Sequence, residues 1–544
     1  MPLKVYYTWL GFRKLVNLET MKTRWTKKLA FWATLLFAVL LASCTMVGPD
    51  FRKPEADVAD NWLEADDPRV DTRSIEYRNW WNVFNDPVLV KLIDMAYQQN
   101  LSLQIAGLKV MQARDNLGIA IGSQYPQQQS VSGGYAFSKA SRNAPPLANL
   151  PDDVASRIDT GVSEWNLGFD ATWEADVWGK FRRGIEAADA SLYASMLDYD
   201  ALLVTLTGDV AALYANIRTY QQRLANAEQN VELQQESLEI SQTRFRLGAT
   251  SQLDVEQAQS LLSNTQAAIP LLQLGISQSI NALNVLLGMP PNDLKEVLGE
   301  RGKIPVAPAT AAVGMPADLI RRRPDIRAAE MTAAAQSAVI GYSQADLYPQ
   351  FGLAGSIGLA GATFSDQFRS GSVTGFISPF FSWNIFNYGR IKNNVRVQDA
   401  LFEQAVLAYQ NAVLNAAQEV ESNLQSFLRI QDQVGYLKTA VKASENASKI
   451  AMVQYRQGAA EYTRVLNTQT SLLRQQDELA SAQGQVVTSL IATYKAIGGG
   501  WQIREGNSYI HPELKTQMNE TIDWGGMLEE PSASTAVETP PDPN

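Results

Sequence analysis

Residues 161–180 read GVSEWNLGFDATWEADVWGK. Trp165, Leu167, Phe169, Ala171 and Trp173 alternate with Asn166, Gly168, Asp170, Thr172 and Glu174. A period of two that sorts apolar from polar groups marks a strand with one face of each kind. The pattern stops at Trp178-Gly179-Lys180, and another period takes over. Tyr199, Leu203, Leu206, Val210, Leu213, Ile217, Tyr220 and Leu224 are spaced alternately four and three apart. A sustained 3.5-residue repeat predicts a helix supercoiling against neighbours. From Gly179 to Leu247 such a helix would be on the order of 100 Å long. The fold must therefore join two-faced strands to very long helices.

The same pairing is written twice. An offset of 210 residues aligns Trp173 with Trp383, Gly179 with Gly389, Tyr199 with Tyr409, Arg246 with Arg456 and Gly248 with Gly458. Upstream, an offset of 223 aligns Gly118 with Gly341 and Tyr125-Pro126 with Tyr348-Pro349. Each copy should hold two strands around a polar loop: about 125–138 and 164–177 in the first, about 348–360 and 373–387 in the second. Asp86-Pro87, a capping residue followed by proline, opens a helix expected to run to about Gly122, and Arg323-Pro324-Asp325 opens its counterpart. The long helices should reverse at Gly248 and Gly458, each suited to the left-handed position past a helix end. Returning helices follow over 253–287, where Pro270 should cause a kink or be absorbed by a local defect, and over 463–497.

Composition narrows the chemistry. The chain has 544 residues, one cysteine (Cys44), one histidine (His511) and a net charge of −10. That scarcity excludes most zinc sites, disulfide frameworks, haem ligation and His-based nucleophilic catalysis. Beyond the first 30 residues no basic run exceeds the three of Arg321-Arg322-Arg323, which argues against nucleic acid as a partner. The reading is accordingly of a non-enzyme, without cofactor or metal.

At the N-terminus Lys22, Arg24, Lys27 and Lys28 precede an apolar run ending in Leu41-Ala42-Ser43-Cys44. About 14 apolar residues are too few to span a bilayer and fit a secretory signal instead. Leu-Ala-Ser-Cys resembles the bacterial lipobox, which implies cleavage after residue 43 and acylation of Cys44. Thr45 in place of Asp implies, by the same resemblance, sorting to the outer membrane. Met21 is the more natural start, with 1–20 a misassigned extension. Removing residues 1–43 takes away seven Lys/Arg and one Glu and leaves a net charge of −16.

Further segments carry a family resemblance: Val47-Gly48-Pro49-Asp50; Trp80-Trp81-x-x-Phe84-x-Asp86-Pro87; Trp173-Glu174-Ala175-Asp176-Val177-Trp178-Gly179-Lys180; Arg321-Arg322-Arg323-Pro324-Asp325-Ile326-Arg327-x-Ala329-Glu330; Asp346-Leu347-Tyr348-Pro349; and Tyr494-Lys495-Ala496-Ile497-Gly498-Gly499-Gly500-Trp501. Over about residues 44–505 the chain resembles the TolC-like outer-membrane efflux proteins, in their NodT/OprM-like lipoprotein branch. The resemblance implies a mainly α fold with a membrane β-barrel portion. A homotrimer would share one twelve-stranded barrel, extend a helical barrel into the periplasm, and work with a periplasmic adaptor and an inner-membrane pump. It divides the chain into a signal (1–43), a lipid-anchored equatorial segment (44–85), a first repeat (86–289), an inter-repeat equatorial segment (290–322), a second repeat (323–500), and an equatorial C-terminal segment with a disordered tail (501–544). Four strands cannot close a barrel alone, and open edges are not tolerated in lipid, so the residues independently require other copies.

The resemblance also places a constriction just after each reversal. An acidic residue is usual six positions past each glycine; Asp254 matches, but Arg464 stands in the second copy, and Asn467 replaces a further acid. Asp254 and Arg464 could form an ion pair, or both could be solvated charges near a helix start. The competing function class is a lipid-anchored coiled-coil scaffold or adhesin without a pore, which would not need two-faced strands.

Overall fold

The computed structural model describes residues 46–73, 77–526 and 528. They fall into two compact units. Among the described residues, one comprises those up to Asp50, Ala120–Ile185 and Ala338–Gln398; the other comprises those of Phe51–Ile119, Glu186–Ser337 and those from Asp399 onward. In chain order the main elements are helices α1 (Pro87–Gln99) and α2 (Leu101–Gly122), strands β1 (Gln128–Lys139) and β2 (Gly161–Ala175), and helices α3 (Lys180–Arg246) and α4 (Gln252–Leu286). Helix α5 (Pro324–Ala345), strands β3 (Gln350–Gly361) and β4 (Val373–Ser382), and helices α6 (Arg390–Arg456) and α7 (Tyr462–Ile497) follow. Helices α3 and α6 are each 67 residues long.

The first unit is built on an antiparallel sheet of order β1-β2-β3-β4. Register pairs Gly133 with Leu167, Leu167 with Leu359, and Leu359 with Val373. Because opposite residues in a ladder share a face, Val131, Tyr135, Phe137, Trp165, Leu167, Phe169, Phe351, Leu353, Ile357, Ile377 and Phe381 all lie on one side. The other side carries Ser130, Ser132, Asn166, Asp170, Thr172, Ser356, Thr374 and Ser378, together with Phe376 and Phe380. The strand expected to run to 387 ends at Ser382. That residue pairs with Gln350, the first of β3, so Trp383 and Ile385 have no ladder partner. Trp383 instead donates its indole N–H to Leu347 O at 3.0 Å, as Trp173 does to Gln124 O at 3.2 Å.

In the same unit the segment after the cysteine is clamped. Arg183, buried to 1%, donates to Val47 O, Gly48 O and the Asp50 carboxylate, the last at 2.7 Å. Gly48 has φ +96°, and a Cβ there would sit 2.3 Å from Gly341 Cα. Both glycines are needed for this approach.

The second unit owes its core to the heptad stripes. Tyr199, Leu203, Leu206, Val210 and Ile217 of α3 and Tyr409, Val413, Ala416, Val420 and Phe427 of α6 are buried in one cluster with Trp80, Trp81, Leu490 and Tyr494. Trp80 stacks on Tyr494 with ring centroids 5.6 Å apart. Val70-Asp71 pairs in parallel with Ala311-Ala312, and Trp62 donates to Gly314 O at 2.9 Å. The single helix expected from Asp86-Pro87 to Gly122 is two helices. Asn100 interrupts it: its amide N–H donates to Leu286 O while its carbonyl oxygen accepts from Leu103 N, so it caps α2 while holding the end of α4. Helix α4 continues through Pro270.

Candidate functional site

The reversals of the second unit form one structure. After α3, Ala249 N–H bonds Arg244 O at 2.8 Å and Gly248 N–H bonds Phe245 O at 2.9 Å. After α6, Ala459 N–H bonds Gln454 O at 2.9 Å and Gly458 N–H bonds Tyr455 O at 3.0 Å. This double bond pattern satisfies carbonyls that a helix end would leave open, and it requires a left-handed residue at the glycine. Gly248 has φ +69° and Gly458 φ +76°.

The two reversals are not equivalent in their side chains. Arg244 lies over the Tyr455 ring at 4.8 Å and donates to Tyr455 O at 2.6 Å and Arg456 O at 3.3 Å, so a cation from α3 neutralises the C-terminal end of α6. Arg456 in turn pairs with Glu236. Tyr455 is buried, meets Tyr462 edge-on at 5.3 Å, and directs its hydroxyl to Ser241 at 3.3 Å and Asp254 at 3.4 Å. Burial, reinforced by Tyr455, pushes the Tyr462 phenol above its ordinary range. Leu238, Ala258, Leu262, Met452 and Val465 complete this apolar cluster.

Of the residues singled out from sequence, Gly248, Gly458, Asp254 and Arg464 come together here. Asp254 is half-buried and accepts from Thr250 and Tyr455. Arg464 is exposed and donates to Gln454 at 3.1 Å. Of the two arrangements open from sequence, an Asp254–Arg464 ion pair is not formed within the chain: Thr250 and Tyr455 both donate to Asp254 Oδ2, and Arg464 turns to Gln454. Asn467 is exposed on α7. Cys44 lies outside the described residues. Arg244, Glu236, Thr250 and Tyr455 escaped the sequence reading. The signal was present: at the 210-residue offset Arg244 faces Gln454 and Phe245 faces Tyr455, so the copies diverge just ahead of the glycines.

The sheet supplies the other half of the functional geometry. Its apolar side is solvent-exposed in the chain alone, with Val131 and Ile377 at 75% and Phe381 at 71%. Both outer strands, β1 and β4, have one unpaired edge. A water-soluble sheet hides such a face; a sheet placed in lipid presents it. The model of the family described as "Outer membrane efflux protein" matches residues 92–289 and 315–499. The chain belongs to this family. It is an outer-membrane efflux channel protein.

Relatives cover nearly their full lengths. The solvent efflux pump outer membrane protein SrpC of Pseudomonas putida is 30% identical over 86% of this chain and 98% of its own. Nodulation protein T of Rhizobium leguminosarum bv. trifolii is 29% identical over 86% of this chain and 97% of its own. The solved structure of the outer-membrane channel OprN superimposes with a TM-score of 0.78 at 28% identity, covering 84% of this chain and 99% of that one. The mainly helical fold is shared with that solved channel structure.

Proposed function

We propose that this outer membrane efflux protein is the exit duct of a tripartite export system, assembled as a homotrimer. The observation that carries the reading is the four-stranded sheet with one continuous apolar face and two open edges. Each chain contributes four strands to a twelve-stranded barrel, β1 of one copy closing against β4 of the next. The equal 67-residue helices, starting 210 residues apart at Lys180 and Arg390, support an internal repeat whose helices line a periplasmic tunnel. Residues 44–85, 290–322 and the stretch after Gly500 form an equatorial belt, in keeping with the Val70-Asp71 to Ala311-Ala312 pairing.

The chain acts as a passive conduit, not as an enzyme. Substrate reaches it from an inner-membrane pump through a periplasmic adaptor, and the reversals with Asp254, Arg464 and Asn467 border its periplasmic mouth. Cys44, acylated, anchors the mature N-terminus in the outer membrane. A covalently attached chain contributes about 0.8 kcal/mol per buried methylene. Purified protein in planar bilayers should give discrete single-channel currents, and Cys44→Ala should lose labelling by radioactive palmitate while keeping those currents. A folded preparation that binds membranes and never conducts would favour the scaffold instead.

A further inference from the structure

Helix α3 carries a polar layer where its heptad should be apolar. Continuing the stripe past Leu224 gives Ala227, Val231, Gln234, Leu238 and Ser241. Gln234 is 1% exposed, and neither its amide nitrogen nor its carbonyl oxygen has a partner. Exchanging the two atoms would not help, since both are orphaned. Asn230 Oδ1 and Gln469 Oε1 are likewise buried and unpartnered.

Two of these residues bridge α3 and α7. Asn230 donates to Gln476 at 2.7 Å, and Gln469 donates to Ser237 at 2.7 Å. Gln234 lies between them, four residues after Asn230 and three before Ser237, on one helix face. The layer continues into α6, where Ser444 bonds Gln475 at 2.5 Å. Val231 and the buried Leu472 also lie at this level, and apolar clusters flank it on both sides. Leu224, Ala227 and Leu272 lie before it, and Leu238, Leu262, Tyr455 and Tyr462 lie after it, next to the reversals.

The helix is also weakened within its own ladder. Asn230 donates back to Asn226 O at 2.8 Å, Ser237 to Leu233 O at 2.9 Å and Ser241 to Ser237 O at 2.9 Å. Side chains that share i−4 carbonyls with the backbone bend helices and loosen them. A buried amide with no partner is unfavourable unless water reaches it, and a polar site with several convergent groups is where internal water is held.

We propose that the layer of Asn230, Gln234, Ser237, Gln469 and Gln476 binds internal water and is the flexure at which the reversal end bends as a unit. It follows from the single chain and does not rest on the exit-duct reading. Beyond the layer, the Tyr455–Tyr462 cluster and the Arg244 contacts keep the reversal end rigid, so bending is confined to this level.

Hydrogen–deuterium exchange on the full-length protein in detergent tests this. Helix amides exchange when their bonds open to water, so amides 230–241 and 469–477 should exchange at least about tenfold faster than amides 203–217 of the same assembly. In the double variant Gln234→Leu, Gln469→Leu, the layer loses its three unpartnered glutamine atoms and exchange there should slow about fivefold or more, with 203–217 unchanged. Wild-type protection in the layer equal to that at 203–217 would overturn the proposal without need of any variant. So would a folded double-leucine variant whose layer exchanges at the wild-type rate. Neither result bears on whether the protein conducts.

Discussion

Tyr455 shows how one side chain changes the reading of a site. Its hydroxyl and that of Thr250 satisfy Asp254, while Arg244 crosses from α3 to the carbonyls that end α6. Within the chain, Arg244 is therefore the side chain that ties the two reversals together, while Arg464 is exposed. Arg244→Ala should lower the unfolding free energy by about 1–2 kcal/mol, because it removes a charge-assisted hydrogen bond and a ring contact. Arg464→Asp, at an exposed position, should change it by less than about 0.5 kcal/mol. Denaturant titration of both variants checks the order, and a larger effect at Arg464 would reverse the assignment. A second residue-level test is set by pH. Hydrogen bonds from the Arg69 side chain and backbone hold the Asp67 carboxyl down, to about 2. Its folded value lies below the ordinary 3.8, so its contribution is fully present above pH 4 and is lost as pH falls towards 2. Asp67 orients Arg69, which reaches Leu428 O and Asp432 on α6. Asp67→Asn should abolish that part of the acid-induced loss of stability between pH 4 and 2, measured by thermal unfolding across the range.

At the scale of elements, the segment 46–50 is held by backbone approach as much as by charge. A Cβ at Gly341 would lie 2.6 Å from Val47 O and 2.9 Å from Arg183 Cγ. Gly341→Val should therefore expel the segment and take Val47 O, Gly48 O and the Asp50 carboxylate away from Arg183. The expected result is trypsin cleavage after Arg52 at a rate at least several-fold above wild type, followed by mass spectrometry. Cleavage at the wild-type rate would mean that the segment is retained by other contacts. The same reasoning explains why Asn100 divides what the sequence presents as one helix. Proline and asparagine both mark starts, but an asparagine inside a helical pattern is decided by what its amide can reach, here Leu286 O.

For the molecule as a whole, the sheet dictates assembly. A face on which Val131, Ile377 and Phe381 are mostly exposed, with an unpaired edge on each side, is unstable in water and incomplete in lipid. Purified protein in detergent should accordingly have about three times the protomer mass after correction for bound detergent, the count following from the proposed twelve strands. Analytical ultracentrifugation measures this directly. A monodisperse monomer that conducts would defeat the shared barrel.

Local sequence determined the element types. Alternation around Trp165–Trp173 and the heptads from Tyr199 and Tyr409 specify strands and long helices, since each pattern is a property of neighbouring residues. The reversals were legible for a similar reason: glycine is the residue favoured where φ is positive at a helix end. Tertiary structure alone decided where β4 stops, which face of four strands is continuous, and which group satisfies Asp254. Ser382 ends β4 because its partner Gln350 begins β3, and Tyr455 reaches Asp254 from 201 residues away. Such pairings depend on the mutual register of separate strands and helices. No local period records that register, because it is fixed only when the apolar stripes close upon one another.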